Sequence, residues 1–85
     1  MFTEEEYLEL ELVELNKGLK LNPASLVLTN AKADVVKQLE AIYQTVIDNA
    51  DKQYSKCNPE NDADVMYESI AIAREYKTKL KELNK

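Results

Sequence analysis

Hydrophobic positions recur at helical spacing over most of the chain. Val35, Val36, Leu39, Ile42, Tyr43, Val46, Ile47, Ala50 and Tyr54 follow the i, i+3/i+4, i+7 rule, and at 100° per residue they span an arc of roughly 140°. Lys37, Glu40, Gln44, Asp48 and Asp51 occupy the remaining face. The pattern predicts a long helix over about residues 30–56, with Leu39, Ile42 and Val46 at the centre of the core. Thr29 or Asn30 would start it; Asn22-Pro23, an N-cap followed by Pro at the first helical position, offers an earlier start. Asn58-Pro59 marks its end.

A first helix is expected over about residues 3–17. Thr3 followed by Glu6 has the spacing of a capping box, and Phe2 before the cap with Tyr7 inside the helix matches a hydrophobic staple. Gly18 can supply the left-handed residue that closes a helix. The alternation of Leu8, Leu10 and Leu12 with Glu9 and Glu11 also admits a hairpin turning at Asn16-Lys17-Gly18. Leu and Glu are strong helix formers and Glu is depleted in strands, which favours the helix.

A third helix, over about residues 59–84, is capped by Asn58, Asn61 or Asp62. Met66, Ile70, Ala73 and Leu80 form its apolar stripe, widened by Val65, Ile72, Tyr76 and Leu83. Lys77, Lys79, Lys81 and Lys85 crowd its C-terminal end, where cations suit the helix dipole. The expected fold is therefore all-α, a small bundle of three principal helices in one domain over 1–85. A domain of this length has a diameter near 31 Å, whereas a 27-residue helix is about 40 Å long. The bundle is expected to be elongated or completed by dimerisation.

Composition narrows the chemistry. Among 85 residues there is no His, one Gly and one Cys. That removes imidazole bases and ligands, glycine-rich phosphate loops, internal disulfides and thiolate zinc cages. Eleven Lys plus Arg face sixteen Asp plus Glu, a formal charge of -5, the opposite of the basic surface that a nucleic-acid binder displays. The acids and oxygens from Asn58 to Asp64 alternate as in a calcium loop, yet Ala63 stands where the turn needs Gly and Ser69 where a bidentate Glu belongs. No cofactor, metal or catalytic residue is expected, and the protein reads as a non-enzyme.

Two surface features point to a partner. The first is apolar. Leu8, Leu12, Leu15 and Leu19 give helix 1 one stripe, while Leu10 and Val13 lie roughly 130–170° away from it; Tyr67 and Ala71 likewise lie opposite the main face of helix 3. Leu10, Val13, Tyr67 and Ala71 are the candidate partner-binding residues. The second is acidic, formed by Glu4, Glu5, Glu9, Glu11 and Glu14 together with Glu6. The leading expectation is a helical protein-interaction factor, a small regulator or inhibitor of another protein in the manner of bacterial or phage accessory factors. It is expected to form a homodimer in which the bases of residues 74–85 offset the helix 1 glutamates. An acidic inhibitor that mimics nucleic acid toward a nucleic-acid-binding protein is the first alternative, and a small-molecule-binding bundle the second. No apolar run approaches the roughly 20 residues of a membrane span, the N-terminus lacks signal-peptide character, and the lone Cys57 suits a reducing interior, so a cytoplasmic location without membrane contact is expected.

Overall fold

The computed structural model describes residues 2–83. The chain is all-α, with three helices and no strand among the described residues: α1 (Glu4–Leu21), α2 (Leu26–Lys56) and α3 (Ala63–Leu83). The expected last residue of helix 3, Asn84, and the terminal Lys85 lie outside the described residues. Two compact units divide the chain, Met1–Ala41 and Ile42–Lys85, with the boundary falling inside α2.

In the first unit the Thr3 side chain accepts a hydrogen bond from the Glu6 N–H at 3.2 Å, so the hydroxyl half of the expected box starts α1. The expected staple is not closed over: the Phe2 and Tyr7 rings are 64 % and 66 % exposed. Residues 7–21 are helical, which settles the hairpin alternative. The helix also outruns its expected end. No glycine has positive φ; Gly18 continues the helix, and a Cβ there would meet Leu28 Cδ1 at 3.1 Å. Its smallness admits the Leu28 side chain instead of closing the helix. The stop comes from Asn22, with φ -141° and ψ 76°, because the ring of Pro23 disfavours helical backbone at the residue before it.

The second helix starts at Leu26, earlier than Thr29 or Asn30 and later than Pro23. Ser25 is its cap: the Leu28 N–H donates to Ser25 Oγ at 3.2 Å, and the Thr29 N–H donates to the Ser25 carbonyl at 3.1 Å. At 31 residues the helix is about 46 Å long. Its buried positions are Val35, Leu39, Tyr43, Ile47 and Ala50, successive i+4 steps closed by one i+3 step. Ile42 and Val46, expected at the core centre, are only half-buried. A four-residue step advances 40° around a helix, so the covered face turns away from the Ile42/Val46 side toward Tyr43 and Ile47.

In the second unit, Asn58–Asp62 forms a tight turn before α3. Asn58 Oδ1 accepts from the Glu60 N–H at 3.0 Å, Asp62 Oδ2 accepts from the Asn58 N–H at 3.1 Å, and the Met66 N–H donates to the Asp62 carbonyl at 2.9 Å. Pro59 and Glu60 therefore lie in the turn, and the helix begins four residues later than expected, at Ala63. The buried positions of α3 are Ser69 and Ala73, while Ile70, expected in the apolar stripe, is 39 % exposed. Two pairs tie α3 to the second half of α2. Tyr43 and Tyr76 meet edge to face, and the Ser69 hydroxyl donates to Gln53 Oε1 at 3.3 Å.

Candidate interaction site

Most large apolar side chains left in solvent belong to the first unit: Phe2, Tyr7, Leu10, Val13, Leu21, Leu26 and Val27, against Tyr54, Tyr67 and Ile70 in the second. Helical geometry explains the α1 members. Leu8 takes the buried side of the helix, and Leu12, Leu15 and Leu19 on the same stripe are half-buried. Leu10 and Val13 project elsewhere and are 50 % and 48 % exposed. They share with Phe2, Glu6 and Glu9 a shallow depression of about 350 Å³. Phe2 thus joins the expected pair in lining this depression.

Of the α1 glutamates, Glu6 and Glu9 line this depression. Glu4, Glu6, Glu11 and Glu14 are exposed, and Glu5 and Glu9 half-buried. Glu14 pairs with Lys17 at 3.5 Å, both side chains largely in water, so the pair contributes little to stability. Tyr67, 73 % exposed, and Ala71 lie on the outer face of α3 as expected. Neither lines the α1 depression or the groove described next.

Two apolar features went unread in the sequence. One is the α1–α2 turn, where Leu21, Leu26 and Val27 are 89 %, 76 % and 79 % exposed; Leu26-Val27-Leu28 is an uninterrupted apolar run. The other is an open groove of about 500 Å³ in the second unit, between the end of α2 and α3. Ala50, Ser69, Ile70 and Ala73 line it together with Tyr54 and Asp51 of α2, and Arg74, Lys77, Thr78 and Lys81 of α3. Ile70, Arg74, Lys77 and Lys81 fall at i, i+4, i+7 and i+11, a helical stripe that the sequence displays. Assigning Ile70 to the core and the lysines to the helix dipole concealed it. Lys79 points elsewhere, with Nζ 4.7 Å from the centre of the Tyr76 ring and 5.7 Å from that of Tyr43.

Groups that could carry other chemistry are engaged locally. Cys57 is a half-buried free thiol whose Sγ lies 3.0 Å from the Gln53 carbonyl oxygen. Among the described residues no cluster of His, Cys, Asp and Glu could hold a metal ion, and no helix is long and apolar enough to cross a membrane. No protein-family model, curated protein or solved structure matches this chain.

Proposed function

We propose that the protein is a non-enzymatic helical interaction factor, a small regulator or inhibitor that acts by binding another protein through α1. One observation carries this reading: Leu10 and Val13 stand half-exposed beside Phe2 around one concavity. Contiguous apolar surface in water is the usual mark of a docking site, and a depression gives a partner side chain somewhere to seat. The composition, with no His and a single Cys, supports binding over catalysis. The free thiol of Cys57 suits a reducing compartment, and we place the protein in the cytoplasm.

The test is capture from a lysate of the native host with wild-type, Leu10→Glu and Val13→Glu baits of equal helix content. The wild type is expected to retain a target that both variants lose, with little change as salt rises. Equal capture by all three baits overturns the reading. So does a target lost only on Leu26→Glu, which would move the site to the α1–α2 turn. The exposed Glu4, Glu6, Glu11 and Glu14 favour a second reading, an acidic mimic of nucleic acid. That mode predicts binding that falls steeply with salt, because exposed charges are screened within a Debye length of about 10 Å at 0.1 M.

A further inference from the structure

We infer that the α2–α3 groove of one copy receives α1 of a second copy of this chain. The inference deepens the reading of the α1 strip as a docking surface by naming one occupant for it, and it gives the groove a use. Charge complementarity selects that occupant. Ala50, Ile70 and Ala73 give the groove its apolar lining, and the three bases Arg74, Lys77 and Lys81 of α3 outnumber its one acid, Asp51 of α2. The α1 strip has the converse character: Phe2, Leu10 and Val13 share one depression with Glu6 and Glu9.

An amphipathic helix that lays apolar anchors into a groove is a recurrent mode of recognition. Opposite charges along the rim steer the approach and fix the register. The dimensions also agree. At 1.5 Å per residue, Ser69 to Lys81 spans about 18 Å of α3, and Glu4 to Val13 about 14 Å of α1 with Phe2 preceding it. The whole chain carries a formal charge of -5, so two copies repel at long range and associate only where unlike patches face each other. Each copy holds one strip and one groove. In a dimer with both strips seated the contact forms twice, and a target that docks on the strip competes with the second copy.

The experiment is sedimentation velocity of the full chain at tens of micromolar, with two charge-swapped variants. One carries Glu6→Lys and Glu9→Lys, the other Lys77→Glu and Lys81→Glu; circular dichroism checks that each keeps its helix content. The wild type is expected to sediment as a dimer. Each variant alone sets like charges against each other in both contacts, and its self-association should weaken by about tenfold or more. An equal mixture pairs a basic strip with an acidic groove, and an acidic strip with a basic groove, so the mixture should return to a dimer. A monomeric wild type overturns the inference, as do variants that dimerise as well as the wild type or a mixture that stays monomeric. A monomer that still captures a target through Leu10 overturns this inference alone. A dimer restored by mixing, with no Leu10-dependent target, overturns the proposed function alone.

Discussion

Tyr43 and Tyr76 meet with ring centroids 5.5 Å apart and planes at 81°, joining the second half of α2 to α3. The edge of one ring is positive and the face of the other negative, so this arrangement gains more than the area it covers. Lys79 adds an ammonium near both faces. The pair should show a coupling of about 0.5–1.5 kcal/mol in a double-mutant cycle of Tyr43→Leu and Tyr76→Leu, measured by urea denaturation. Strictly additive losses would mean that the rings only fill space.

The turning of the buried face along α2 has a direct consequence for stability. Leu39 has 0 % of its surface exposed, so Leu39→Ala should cost about 2–5 kcal/mol through lost burial and a cavity. Ile42→Ala, at a half-buried position, should cost clearly less, since part of the side chain already lies in water. Melting temperatures of the two variants under one condition decide the matter. An equal or larger loss for Ile42→Ala would contradict the burial described for α2.

Gly18 sits inside a helix, where glycine is about 1 kcal/mol worse than alanine. A new Cβ would meet the tip of the Leu28 side chain at 3.1 Å; Leu28 is half-buried, and a shift of a few tenths of an ångström at the end of this flexible side chain relieves the contact. Gly18→Ala is therefore expected to raise stability, by up to about 1 kcal/mol. Chemical denaturation reads the sign; a loss would show that Leu28 is held in place by its surroundings.

Thr3 starts α1 with one side-chain acceptor. Thr3→Ala leaves the Glu6 N–H to water and should destabilise the helix by about 1 kcal/mol, whereas Thr3→Ser should retain most of the stability. Amide exchange over residues 4–9 should speed up in the alanine variant and remain near wild type in the serine variant. Equal exchange in all three would remove the cap from the account of α1.

Local chemistry was legible without coordinates. Thr3 and Glu6 announced the start of α1, Asn58-Pro59 bounded the end of α2, and the apolar arc from Val35 to Tyr54 required a long amphipathic helix. The exposed setting of Leu10, Val13 and Tyr67 followed from the angle at which each leaves its helix. These features depend on neighbours within one or two turns, and the sequence contains those neighbours. Tertiary packing decided the rest. An apolar arc of roughly 140° is wider than the face a neighbouring element covers, so only packing could choose Tyr43 and Ile47 over Ile42 and Val46. Packing likewise placed a hydroxyl, Ser69, in the buried face of α3 and left Ile70 at the rim of a groove, because Gln53 supplies the polar partner that Ser69 needs. Gly18 could serve as a cap or as a close contact by its residue type alone. The Leu28 side chain, ten residues further along, made it the second.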